Sequence, residues 1–90
     1  MAEKRLAIVT GGARGIGRAV VLELLKQGRD VAAVDLDQAG LDETSRVAQE
    51  AGFKCRTCCV DITETGKFTA VLKDLAEEAG GIGVLVNNAG

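Results

Sequence analysis

Eight residues, Thr10-Gly11-Gly12-Ala13-Arg14-Gly15-Ile16-Gly17, hold four glycines directly after the apolar run Leu6-Ala7-Ile8-Val9. Ordered glycine carries a backbone entropy penalty, so such a cluster needs a reason: left-handed backbone, or something that must come close. A strand, a glycine turn and a helix start together make an anion site. Amides at a helix N-terminus lack acceptors, and the macrodipole places positive potential there. In this spacing Gly11 takes the tight turn, Gly15 lets a pyrophosphate touch the main chain, and Gly17 lets the helix pack close to the sheet. The spacing from Gly12 to Gly17 fits a triphosphate-binding loop, but Arg18-Ala19 follows where Lys and Ser/Thr belong, which argues against nucleotide triphosphate hydrolysis. The common dinucleotide spacing GxGxxG is also missing; the pattern is GxxxGxG, Gly11-Gly15-Gly17.

A second candidate is Asp35, eighteen residues beyond Gly17. At the end of a second strand its carboxylate faces the glycine turn across the crevice, where an adenosine ribose lies, and accepts from both ribose hydroxyls. It repels a 2′-phosphate and so favours NAD over NADP. Arg14 pulls the other way, since its guanidinium can pair with that phosphate. Asp37 is the better candidate than Asp35 for capping the following helix.

Composition narrows the chemistry further. The 90 residues include no His, Tyr, Trp or Pro, and Ser45 is the only serine. A His base or ligand, a Tyr proton donor and an internal Ser/His/Asp triad are therefore excluded within them. The cysteines lie together in Cys55-Arg56-Thr57-Cys58-Cys59. On a strand, residues three apart face opposite sides, so Cys55 and Cys58 do not converge on a metal; they are expected to be small buried packing thiols, and no metal site is expected. A net charge of -2 implies neither nucleic acid nor an acidic membrane as partner. No apolar run approaches 18 residues and no secretory h-region follows the start, so a cytoplasmic chain is expected.

The elements that must position these residues alternate in period. Apolar runs at Arg5 to Thr10, Asp30 to Asp35, Lys54 to Val60 and Gly83 to Val86 read as buried strands. Between them lie amphipathic helices. The first, Ile16 to Gln27, shows Ile16, Val20 and Leu24 at four-residue spacing with Val21 and Leu25 beside them. The second, Gln38 to Ala51, places Leu41, Thr44, Val47, Ala48 and Ala51 on one face. The third carries Phe68, Val71, Leu72, Leu75, Ala76 and Ala79, capped by Thr63 or Thr65. The order β-α-β-α-β-α-β predicts an α/β fold, a partial doubly wound parallel sheet of four strands, with one face near the last strand uncovered.

Taken together, Thr10 to Gly17, Asp35, Asp61-Ile62 and Asn87-Asn88-Ala89-Gly90 resemble the short-chain dehydrogenase/reductase family across the whole chain. The resemblance implies a Rossmann-type domain binding NAD(H) or NADP(H), often in oligomers. Residues 1-90 would be the N-terminal half of that dinucleotide-binding domain. Gly11, Arg14, Gly15, Ile16 and Gly17 would form the pyrophosphate loop and Asp35 the ribose acid. Asp61 would meet the adenine amino group and Ile62 pack on the adenine ring. Asn87, Ala89 and Gly90 would line the cofactor, the Asn side chains tying neighbouring strands. Gly83 departs from the family's Asp and is expected to loosen the start of the fourth strand.

The family's Ser, Tyr-x-x-x-Lys and further Asn do not occur here, so no catalytic residue is assigned. The expected function is the NAD-binding part of an oxidoreductase that moves hydride between nicotinamide and a small-molecule alcohol or ketone, as a homo-oligomer. The alternatives are a truncated or designed nucleotide-binding module without catalysis and a regulatory domain that senses NAD.

Overall fold

The structure, a computed structural model, describes residues 6–88. Seven elements follow one another: β1 (Leu6–Thr10), α1 (Gly15–Lys26), β2 (Val31–Asp35), α2 (Gln38–Glu50), β3 (Arg56–Cys59), α3 (Thr65–Ala79) and β4 (Ile82–Asn87). The strands form one parallel sheet in the order β3-β2-β1-β4. Strand order therefore reverses between β1 and β4, and a crevice opens beyond their C-terminal ends.

Every residue of β1 is buried because helices cover both faces of the sheet. Alternate side chains serve opposite cores. Ala7, Val9, Val31 and Ala33 meet Val21 and Leu25 of α1 and Leu41 and Ala48 of α2. Leu6, Ile8, Ala32 and Val34 meet Val60 and Leu75, with Phe68, Val71 and Leu72 of α3 packed around them. This is the doubly wound arrangement that the alternating periods imply.

Three local expectations change. The buried stripe of α1 is Gly17, Val21 and Leu25, while Ile16 is 74% exposed. A four-residue stripe drifts around a 3.6-residue helix, so several phases fit the same apolar residues and packing selects one. Neither Thr63 nor Thr65 caps α3: the N-cap is Glu64, without a side-chain hydrogen bond. Instead the Thr63 hydroxyl and amide both donate to Asp61 Oδ1, at 2.6 and 2.9 Å. Ala51 lies beyond the end of α2 and is exposed.

Gly83 has a definite role. Leu6 pairs with Ile82 but Ala7 pairs with Val84, leaving Gly83 as the extra residue of a bulge. The bulge inverts the phase of β4, so Ile82 joins the α3-side core while Val84 and Val86 join the other. Beyond it Leu85 is 52% exposed, with no helix packed over it among the described residues.

The cysteines are only in part the buried thiols expected. Cys55 and Cys58 are half-buried and pack on opposite cores, but Cys59 is exposed at the β3 edge, its thiol donating to the Leu36 carbonyl at 3.3 Å. Burial pushes the Cys55 thiol up to about 11 and raises Cys58 as well. Since the thiolate is the reactive form, labelling by an aromatic disulfide at pH 8 is expected to modify Cys59 first and Cys55 last. Mass mapping of partly labelled protein checks that order; Cys55 reacting first would contradict it. Among the described residues no cluster of His, Cys, Asp or Glu is arranged to hold a metal ion, and no helix is long and apolar enough to cross a membrane.

Candidate functional site

The glycine turn sits at the C-terminal end of β1 and is held from three sides. Below it, the Val34 carbonyl of β2 accepts from the amides of Gly11 at 2.8 Å and Gly12 at 3.3 Å. A Cβ on Gly12 would lie 2.7 Å from that of Ala33, so the turn rests directly on β2. Gly12 thus makes a close approach to β2. Gly17 makes another, between α1 and the ends of β1 and β4: a Cβ there would overlap the Gly11 carbonyl oxygen and lie 2.9 Å from Asn88 Nδ2.

Gly11 and Gly15 have φ of 71° and 60°, the left-handed region in which a side chain is strained. At Gly15 nothing lies within 4 Å of the Cβ position, so the space above it is open. Among the described residues the amides of Arg14, Gly15, Ile16 and Gly17 donate to no protein acceptor, and α1 has no side-chain N-cap and no acid in its first turn. Those four amides lie at the positive end of α1, next to the open space at Gly15.

Asp35 ends β2 beside this turn. Its Oδ2 accepts from the Ala13 amide at 3.1 Å, and its Oδ1 accepts from Leu36 and Asp37 at 2.7 and 3.1 Å. A carboxylate offers about four lone-pair positions. Among the described residues three are filled, which leaves one acceptor position on Oδ2. Arg14, reaching out of the turn, forms an ion pair with Asp37. Asp37 also caps α2 by accepting from the Gly40 amide at 3.0 Å, the capping role foreseen for it.

The Gly40 amide and then the Arg14 guanidinium hold the Asp37 carboxyl below its ordinary value of 3.8, and the Thr63 hydroxyl and amide do the same for Asp61. A depressed folded-state pKa contributes stability that is fully present above the unfolded value and lost as pH falls through the folded value. Thermal midpoints are therefore expected to decline below about pH 4. The decline should be shallower for Asp37→Asn; an unchanged profile in that variant would contradict the assignment.

The other wall is built by the end of β4. The Thr10 hydroxyl approaches Asn87 Oδ1 at 3.1 Å and the Val86 carbonyl at 3.3 Å, and accepts from the Asn88 amide at 3.0 Å. Asn88 Nδ2 donates to the Gly11 carbonyl at 3.4 Å. Gly11, Arg14, Gly15, Ile16, Gly17, Asp35 and Asn87 thus all lie at the C-terminal ends of β1, β2 and β4 or in the turn that follows β1. Asp61 and Ile62 follow β3, with Ile62 half-buried against the α3-side core. Ala89 and Gly90 lie outside the described residues.

Sequence reasoning missed two residues that shape the turn. Thr44 of α2 is fully buried and donates to the Gly12 carbonyl at 2.7 Å. Arg18 of α1 donates through Nε to Thr44 Oγ1 at 2.9 Å and through its guanidinium to the carbonyls of Ala13 and Gly40. The signal was Gly40, an unexplained glycine inside a helix: a Cβ there would lie 2.8 Å from that of Ala13.

The family model for short chain dehydrogenase matches residues 5–90. The chain belongs to the short-chain dehydrogenase family. L-2,3-butanediol dehydrogenase of Corynebacterium glutamicum is 40% identical over 88 residues, which are 96% of this chain and 34% of that protein. A metagenomic short-chain oxidoreductase solved in complex with NADP superposes with a TM-score of 0.91 at 31% identity, over 98% of this chain and 40% of that one. A short chain dehydrogenase from Mycobacterium paratuberculosis bound to NAD superposes at 0.85 with 32% identity, over 98% and 37%. The chain spans about a third of the length of the curated relatives it matches. Both nicotinamide dinucleotides occur among these short-chain dehydrogenase neighbours.

Proposed function

We propose that this chain is the dinucleotide-binding part of an NAD-linked short-chain dehydrogenase/reductase that moves hydride between nicotinamide and a small alcohol or ketone. The observation that carries the reading is the row of four unpartnered amides, Arg14 to Gly17, at the uncapped start of α1 beside the open space over Gly15. A diphosphate fits that cradle: it supplies the acceptors the amides lack, and glycine leaves room for it. Asp35 would take a ribose hydroxyl on its remaining acceptor position, and Asp61 Oδ2, which receives no donor among the described residues, would take the adenine amino group. Ile62 would border the adenine ring, and Asn87, Ala89 and Gly90 would line the far side.

NAD is favoured over NADP because two carboxylates, Asp35 and Asp37, stand at the ribose end and Asp37 already engages Arg14. The bound dinucleotide supplies the hydride at its nicotinamide ring. These ninety residues would bind and orient it, while the proton-transferring groups belong to the rest of the parent, since the chain holds neither Tyr nor His. The parent is read as a cytoplasmic homo-oligomer, in keeping with three unpaired cysteines.

Isothermal calorimetry of the folded chain with NAD and NADP tests this reading. Heat with NAD exceeding that with NADP is expected. No heat with either overturns the proposal, and turnover of an alcohol by the 90-residue chain overturns the division of labour.

A further inference from the structure

We propose that Arg18 and Thr44 are positioning residues that set the direction of the ligand-facing Arg14 amide in the glycine turn; this rests on the dinucleotide reading above. A trans peptide is planar, so its carbonyl and its amide point in opposite directions. Fixing one fixes the other. The Gly12–Ala13 peptide is held at both ends: its carbonyl accepts from the Thr44 hydroxyl at 2.7 Å and its amide donates to Asp35 Oδ2 at 3.1 Å. The Ala13–Arg14 peptide is held at one end only. Its carbonyl accepts from the Arg18 guanidinium, with the Thr44 hydroxyl 3.2 Å away, and its amide has no protein acceptor. Arg18 and Thr44 therefore turn the Ala13 carbonyl inward toward α2 and, by planarity, the Arg14 amide out toward the opening.

The clamp is coupled internally. Arg18 Nε donates to the Thr44 oxygen at 2.9 Å, which orients the hydroxyl hydrogen away from Arg18 and onto the Gly12 carbonyl. A second bond from the same guanidinium to the Gly40 carbonyl, at 3.2 Å, anchors the fork to the first turn of α2. Lysine cannot reproduce this, since a single ammonium lacks the planar fork that reaches three acceptors on two elements. Arg18 thus acts by geometry, and its positive charge alone does not suffice.

Titration of the ¹⁵N-labelled chain with ADP and with adenosine tests the assignment, read at the amides of Arg14 to Gly17. Wild-type protein and Thr44→Ser, which keeps the hydroxyl, are expected to shift those amides with ADP. Thr44→Val and Arg18→Lys are expected to bind ADP about tenfold more weakly while adenosine binding changes less than about twofold. Undiminished ADP binding by both variants overturns the proposal, as does a parallel loss for ADP and adenosine, which would mark a general loosening. Should Arg18→Lys fail to fold, the near-isosteric Thr44→Val set against Thr44→Ser carries the same comparison. Failure of the wild-type chain to respond to ADP and to NAD overturns the dinucleotide reading itself, and is distinguishable because it precedes any substitution.

Discussion

Gly17→Ala is expected to lower the stability of the fold by roughly 3 kcal/mol, whereas Gly15→Ala lowers it by about 1 kcal/mol yet abolishes most dinucleotide binding. The two glycines lie two residues apart and differ in what surrounds them. A Cβ at Gly17 would overlap the Gly11 carbonyl oxygen, lie 2.6 Å from the Gly11 carbonyl carbon and press on Asn88. Backbone cannot rotate aside as a flexible side chain can, so α1 must separate from the turn or Asn88 must leave it. At Gly15 the Cβ position is empty, and the only intramolecular penalty is the left-handed φ of 60°. The methyl group would instead occupy ligand space, and a loss of about 2 kcal/mol or more of binding is expected. Urea denaturation gives the first pair of numbers and calorimetry with NAD the second. Equal stability losses in the two variants would mean that the contact over Gly11 is not as tight as the structure has it.

Asp35→Ala is expected to have two separable effects. The first is on the fold: three backbone amides, from Ala13, Leu36 and Asp37, lose a charged acceptor together. Hydrogen bonds to charged groups are worth more than neutral ones, but the site is partly solvated and water replaces some of them, so a net loss of about 2–3 kcal/mol is expected. The second effect is on selectivity. Removing the carboxylate relieves repulsion of a 2′-phosphate, so the ratio of NAD to NADP affinity should fall by about tenfold. Asp35→Asn separates the two, because it removes the charge while keeping one acceptor oxygen. Calorimetry with both dinucleotides on both variants decides the matter: a ratio unchanged in both would end the case for Asp35 as the discriminating acid.

The legibility of this chain differs by element. The short apolar runs and the helical 3.6-residue periods are local, and they placed seven elements with ends within a few residues of those observed. Gly28, Gly52 and Gly80 sit after the three helices with positive φ, as helix stops require. Asp37 was legible as a cap because an acid one residue before a helical period has a specific job there. Other residues were not legible. Ile16 fits an apolar stripe on paper but faces outward, since the turn fixes how α1 enters and therefore which side it lays on the sheet. Arg18 looked like any charged position on an exposed helix face, and Thr44 like a filler of an apolar one. Gly83 looked like a defect in a strand, because a bulge is visible only when the partner strand's register is known.

By itself the sequence determined the alternation of strands and helices, the glycine turn that ends the first strand, and the acid that ends the second. All three follow from short-range chemistry: backbone freedom, side-chain period and the stops between elements. Only the tertiary structure decided which amides of the turn are spent on Val34 and Asp35 and which are left without an acceptor among the described residues. It also decided that Asp35 keeps one acceptor position and that a guanidinium on α1 and a hydroxyl on α2 orient the turn from behind. The physical reason is that hydrogen-bond capacity is consumed by partners about twenty to thirty residues away in the chain, and no spacing rule along the chain says in advance which of them will meet.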